Sequence, residues 1–473
     1  VTGLAPFQAP DEGPHWLTGL NRSQNFPVKK ESKFCSRSLS IFQIFEAERL
    51  MFRPQEKIVS GTFERLKKDS AEEICNDKEV SYGTTLTYFS TLIGSKTFLK
   101  KAASAEDFMH VFYFARLLNG VLIALSLLRL LHNVRTQKLS AGLFCICALL
   151  WTPIFVQQSF AVSSDDIIIL FAISTLSMVV SIKEFSWWDF SFFAVTGVIA
   201  ACTKPYSMPI AAMPLIAGIL LNMVDSGPGV DWVKGIIKKK DLPLLATFFI
   251  VCIAGFAFFV ASGGASTIEH PPGVDSGAQT KLVLENPMRA LSILNKSIWQ
   301  GFDFTLFSKA MGYVDTNPPH GFHVVWKRIF YITLFFELCL LASYVTNLIQ
   351  AKNFRRLALW IGASTLIVGL LYVAALGNTL ALYLTFTPVG LEFVAGMQQR
   401  YFIHNFLGLA AIPMLLALVQ KPVSTSCRWS FEARFSVVER LFPGLQFIFL
   451  LCLFFQFTML ASFLSMTWMT RYW

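Results

Sequence analysis

The chain has 473 residues, 54% hydrophobic and 15% charged, with a formal charge of +10 and a mean hydropathy of +0.53. Soluble domains run near 45–50% apolar and about 25% charged, so this composition excludes a soluble protein. The basic excess does not point to nucleic acid, because Lys and Arg gather in short connections between apolar runs, where they set topology and meet anionic headgroups.

Residues 1–107 form a long polar segment, read as lying outside the membrane. It opens on a loop-like stretch, Val1 to Pro14, with no hydrophobic helix before it in the numbered chain, so either a first span is removed or left out of the numbering or this outside start is reached another way. Between Ser38 and Phe52, Leu39, Phe42, Ile44, Phe45 and Leu50 alternate with Glu and Arg, a pattern for helices on the membrane surface or against a bundle. Cys35 and Cys75 share this segment, and an extracytoplasmic compartment would allow them to pair.

From residue 108 onward, apolar runs of about 17–25 residues, each able to cross about 30 Å of hydrocarbon, follow one another. They lie near 108–131, 139–157, 166–182, 187–202, 205–224, 243–262, 328–349, 357–376, 402–419 and 443–469. With 1–107 outside, the inside connections carry Arg135, Lys138, Lys183, Lys234, Lys238, Lys239, Lys240, Lys352, Arg355, Arg356, Lys421, Arg428, Arg434 and Arg440. The short outside connections hold only Lys204 and Arg400, as the positive-inside rule requires. The expected organisation is an outside region 1–107, a helical block 108–262, a second outside loop 263–327, and a helical block 328–473 with an outside stretch from Gly377 to Tyr401. Gly, Pro and His crowd 263–275 and 312–323, which argues there for ordered loops rather than helix.

Chemistry-bearing residues concentrate at the outside ends. In Pro10-Asp11-Glu12-Gly13-Pro14-His15 two carboxylates and an imidazole sit on a proline-pinned backbone; a carboxylate there suits a general base, or Asp11 caps a helix beginning near Gly13. In Ser163-Ser164-Asp165-Asp166 the paired acids could bind a sugar hydroxyl or a divalent ion such as Mg or Mn, or cap the next helix. Lys204, in the tight turn Thr203-Lys204-Pro205-Tyr206, must snorkel or find an anion, for which a lipid phosphate is an economical choice. Gln399-Arg400-Tyr401 sets a guanidinium fork at the start of a span, fit for a phosphate or for interfacial anchoring. Asp315 sits in Gly312-Tyr313-Val314-Asp315-Thr316-Asn317-Pro318-Pro319, where it also suits a turn. No nucleotide-binding, Cys/His metal or serine-hydrolase signature is present.

Taken in order, PFQAPDEGPH at 6–15, ARLLNG at 115–120, FAVSSDD at 160–166, TKPY at 203–206, GYVDTNPP at 312–319 and QQRYF at 398–402 resemble the bacterial polytopic membrane proteins catalogued as domain of unknown function 2142. That family is grouped with the GT-C superfamily of lipid-linked-sugar glycosyltransferases. The resemblance implies an all-α polytopic bundle with amphipathic helices in its first outside loop, a catalytic carboxylate there, and a polyprenyl-phosphate sugar donor. It makes Asp11 the catalytic base with Glu12 and His15 beside it. Lys204, Arg400 and Tyr401 become donor-phosphate residues, and Asp165, Asp166, Tyr206, Asp315 and Gln399 pocket residues. No cofactor is required, a divalent metal being optional. This chain departs from the family in lacking a helix before the PDE motif and in carrying Tyr82 to Tyr88 where relatives have a Tyr-Pro motif.

The expected function is sugar transfer from a polyprenyl-phosphate donor to an envelope glycan, lipid or protein, in a bacterial inner membrane with residues 1–107 on the periplasmic or extracellular side. A flippase or transporter predicts mid-span charges along a central path. A non-catalytic scaffold subunit predicts that Asp11 can be changed without effect.

Overall fold

The computed structural model describes residues 12, 15–16, 18–20, 34–36, 74–76, 85–99, 105–137, 152–184, 186–225, 241–261, 273–301 and 320–420. The expected span 443–469, most of 139–157, the amphipathic stretch 38–52, Asp11 and Asp315 lie outside them.

The chain is a polytopic helical membrane protein. Among the described residues six helical segments are long and apolar enough to cross a membrane, and two shorter apolar ones accompany them. In chain order the helices are α1 (Phe89–Phe98), α2 (Ala105–Thr136), α3 (Pro153–Phe160), α4 (Asp165–Val180), α5 (Trp187–Thr203), α6 (Met213–Asp225), α7 (Leu242–Ala261), α8 (Ser276–Glu285), α9 (Pro287–Gly301), α10 (His320–Gln350), α11 (Phe354–Thr385), α12 (Ile403–Leu409) and α13 (Ala411–Gln420). Tight 3-10 turns at Thr85–Tyr88, Pro205–Ala212 and Gln399–Phe402 lead into α1, α6 and α12. Two three-residue strands, β1 (Phe34–Ser36) and β2 (Ile74–Asn76), pair antiparallel and set Cys35 opposite Cys75, the backbone placement that a disulfide between them requires.

Local chemistry sets the helix ends. Glu106 and Asp107 in the first turn of α2, with Arg135 in its last, complement the helix dipole. Thr152 caps α3 by accepting from Phe155 N at 3.3 Å, and Pro153 occupies the first helical position, where no amide is missed. α4, mostly apolar, is buried along its whole length, and its Ser174 and Ser177 bond to Thr196 and Asn133 of the neighbouring helices. α2, α3, α5, α6, α12 and α13 surround it.

The two ends of the bundle differ. At one, basic side chains close helix C-termini: Lys183 Nζ donates to Leu418 O at 3.1 Å, Arg356 Nη1 to Val419 O at 3.3 Å and Arg355 Nη2 to Met223 O at 2.8 Å. Nearby, Arg129 forks onto Asp189 at 2.8 and 2.9 Å, with Asn133 adding a third bond to that buried carboxylate. At the other end the N-terminus of α4, the C-terminus of α5 and the turns at 205–212 and 399–402 come together.

Two expectations change. Within 263–327, α8 and α9 fill 276–301, and α10 already begins at His320, inside the stretch 312–323 expected as ordered loop. Asp275 caps α8 through Gly277 N and Ala278 N. α11 also runs past 376 to Thr385. At about 1.5 Å per residue it is about 48 Å long, more than the about 30 Å of hydrocarbon that a span must cross. α9 packs Ala290, Ile293, Leu294 and Ile298 inward beside it and leaves Met288, Leu291 and Trp299 exposed, the division of an interfacial helix.

Candidate active site

Glu12 is fully buried, an expensive place for a carboxylate. Arg116, in the first half of α2, answers it with a fork: Nε donates to Oε1 at 2.8 Å and Nη2 to Oε2 at 2.5 Å. The same Oε1 accepts from Val162 N at 3.1 Å, in the turn between α3 and α4. One side chain thus joins the N-terminal motif, α2 and the Ser-Ser-Asp-Asp turn. The Arg116 guanidinium lies 4.6 Å from the Phe112 ring centre, and Trp16 meets that ring edge-on at 5.6 Å. His15 Nδ1 and the Tyr88 hydroxyl share a hydrogen bond of 2.7 Å, while Thr87 and Thr203 bond at 2.7 Å, tying the first 3-10 turn to the end of α5.

The α3–α4 turn divides its acids between two tasks. Ser163 Oγ accepts from Asp165 N at 3.1 Å and Asp166 Oδ1 from Ile167 N at 3.0 Å, so helix capping falls to Ser163 and Asp166. Asp165 is left to face cations. Lys204 Nζ contacts its Oδ1, and Arg400 Nε stands 3.6 Å from its Oδ2. Tyr401 completes the group: its hydroxyl accepts from Arg400 Nη2 at 3.1 Å, and its ring centre is 5.4 Å from Lys204 Nζ and 5.0 Å from the Arg400 guanidinium carbon. Lys204 therefore finds its anion within the protein rather than snorkelling away. His15 also contributes to the field at Asp165. Tyr206, one residue past the Pro205 that opens its turn, stacks obliquely on His404 at 6.2 Å.

The fold thus gathers Glu12, His15, Asp165, Asp166, Lys204, Tyr206, Arg400 and Tyr401 at one end of the bundle, and Gln399 opens the turn that carries Arg400 and Tyr401. Asp11 and Asp315 lie outside the described residues. Glu12, expected beside the base, has both oxygens engaged and acts as an anchor in this geometry. A divalent ion does not fit Asp165 and Asp166 as arranged: one carboxylate faces two cations, the other bonds its own helix amide, and among the described residues no three His, Cys, Asp or Glu side chains converge. Arg116 and Asn119 were not singled out from sequence; an arginine inside an apolar run was the available signal, since such a charge persists only with a partner.

Gly120 explains the last residue of the ARLLNG segment. A Cβ there would overlap the Phe160 ring, and Asn119 beside it donates to Ala161 O at 3.0 Å, so α2 meets the α3–α4 turn at backbone distance. Gly120→Leu is expected to cost about 1–3 kcal/mol by overpacking. A detergent-solubilised variant melting at the wild-type temperature would refute this close approach.

A family model described as "Predicted membrane protein (DUF2142)" matches residues 5–405. No curated protein and no solved structure matches the chain.

Proposed function

The chain therefore belongs to that family of membrane proteins, and on this premise we propose that it is a GT-C type glycosyltransferase. It moves a sugar from a polyprenyl-phosphate donor to an envelope glycan, lipid or protein at the outer face of a bacterial inner membrane. The observation that carries the reading is the pairing of Lys204 and Arg400 on a single carboxylate, at the end of the bundle opposite the one closed by Lys183, Arg355 and Arg356. By the positive-inside rule the latter end is cytoplasmic, which sets the paired cations at the level of outer-leaflet phosphates.

In the reaction an acceptor hydroxyl attacks the anomeric carbon as the bond from that carbon to the phosphate oxygen breaks. The hydroxyl proton passes to the Asp11 carboxylate, and the phosphate leaves with its charge held by Lys204 and Arg400. Glu12, bolted to Arg116 and Val162, anchors the residue next to Asp11.

Purified protein in nanodiscs, given undecaprenyl-phosphate glycosides of hexoses and pentoses with an envelope extract as acceptor, is expected to transfer labelled sugar. Asp11→Asn should lower turnover at least about a hundredfold while donor binding persists. A wild-type protein that binds these lipids and transfers none of their sugars would overturn the assignment.

A further inference from the structure

Beneath the Lys204 and Arg400 charges, three touching elements hold polar side chains that nothing receives. Ser207 follows Tyr206 in the turn at 205–212, Asn378 follows Gly377 on α11, and His404 and Asn405 lie in the first turn of α12. Their exposures are 0, 3, 3 and 1%. Among the described residues Ser207 Oγ, Asn378 Nδ2, His404 Nε2 and Asn405 Oδ1 have no hydrogen-bond partner. The elements meet closely: Tyr206 packs on His404, a Cβ at Gly377 would stand 2.8 Å from Tyr206 Cβ, and Asn405 Nδ2 donates to Leu371 O at 2.6 Å, two turns before Asn378 on α11. His404 is one helical turn, about 5 Å, below Arg400 and lies in the field of Lys204 and Asp165.

Folded proteins leave few buried polar atoms unpaired, because each forfeits its hydration without return. Four such atoms from three adjoining elements point to a ligand that both donates and accepts. An alkyl chain would leave them unpaired, and an ionised group would meet no counter-charge among them. From this we infer that the unpartnered polar atoms of Ser207, Asn378, His404 and Asn405 receive the hydroxyl groups of the sugar ring carried by a lipid phosphate. The inference rests on the phosphate reading above: with the phosphate at Lys204 and Arg400, a ring attached to it reaches one helical turn further in.

The test compares binding of bare undecaprenyl phosphate with that of its hexose and pentose glycosides, using wild type, Ser207→Val and Asn378→Leu in nanodiscs. Wild type is expected to hold at least one glycoside about tenfold tighter than the bare lipid. Both variants should erase that preference, hold the bare lipid as wild type does, and melt at or above the wild-type temperature, since an apolar group of similar volume replaces an unpaired polar one. Variants that keep the preference, or that lose both lipids equally, overturn the subsite. Wild type that binds bare lipid without preferring any glycoside overturns the subsite and leaves the phosphate site standing. Wild type that binds neither lipid overturns the phosphate reading and the subsite with it.

Discussion

Glu12→Ala is expected to destabilise the protein by about 3–5 kcal/mol, the loss that follows when one partner of a buried ion pair is removed and the other stays behind. Arg116 is 1% exposed and lies in the first half of α2, so without the Glu12 fork its charge has no route to water that does not unpack the helix. Arg116→Ala should cost a similar amount, because Glu12 then keeps, among the described residues, only the Val162 amide for a full negative charge. The double variant is expected to lose clearly less than the sum of the two, since it leaves no unpaired charge. Thermal unfolding of the four proteins in one detergent gives the cycle directly. Additive losses would mean that the two side chains contribute through separate packing, and the anchoring role given to Glu12 would fall. Glu12→Gln adds a control: it keeps the shape and one acceptor oxygen, so a loss close to that of Glu12→Ala assigns the effect to charge.

The sequence made the helices legible and the depth of the charges much less so. The spans at 166–182, 187–202 and 205–224 agree to within a few residues with α4, α5 and the helical segment Pro205–Asp225 that ends in α6, because hydropathy over a fixed hydrocarbon thickness is close to a physical measurement. α9 escaped the span reading: Ala290, Ile293, Leu294 and Ile298 repeat with helical spacing, but one apolar face over fifteen residues is too short a run to register as a span. At the site, Asp165, Lys204 and Arg400 were legible one at a time as polar groups at outside ends. Nothing in spacing along the chain says that one carboxylate lies between two cations drawn from 39 residues away and from another helix block. The Glu12–Arg116 pair spans 104 positions, and only the cost of an arginine in an apolar run hinted that it existed. Glu337, buried midway along α10, and Asp189, buried at the cytoplasmic end of the proposed topology, show that acids are not confined to the outer ends.

Asp165→Asn is expected to tighten binding of undecaprenyl phosphate about tenfold while slowing turnover, a pairing of signs that separates this site from a simple charge patch. In the structure the Asp165 carboxylate occupies both Lys204 and Arg400, so an incoming phosphate competes with it for the same two cations. Removing its charge removes the competitor, and about 1.4 kcal/mol is enough for a tenfold change in affinity. The gain falls on the bound phosphate, which is also the leaving group after transfer, so product release slows and turnover drops even where the chemical step is untouched. The lipid-free variant should melt lower than wild type, because the buried Arg400 and the part-buried Lys204 have lost the carboxylate between them, and adding the phosphate lipid should restore more stability than it confers on wild type. Arg400→Ala reverses the first sign: with the fork gone and Lys204 still paired to Asp165, affinity for the lipid should fall. Arg400→Lys should recover only part of it, since an ammonium cannot present two parallel donors. Weaker lipid binding by Asp165→Asn would instead place that carboxylate in direct contact with the lipid or the acceptor, and the competition between carboxylate and phosphate would have to be abandoned.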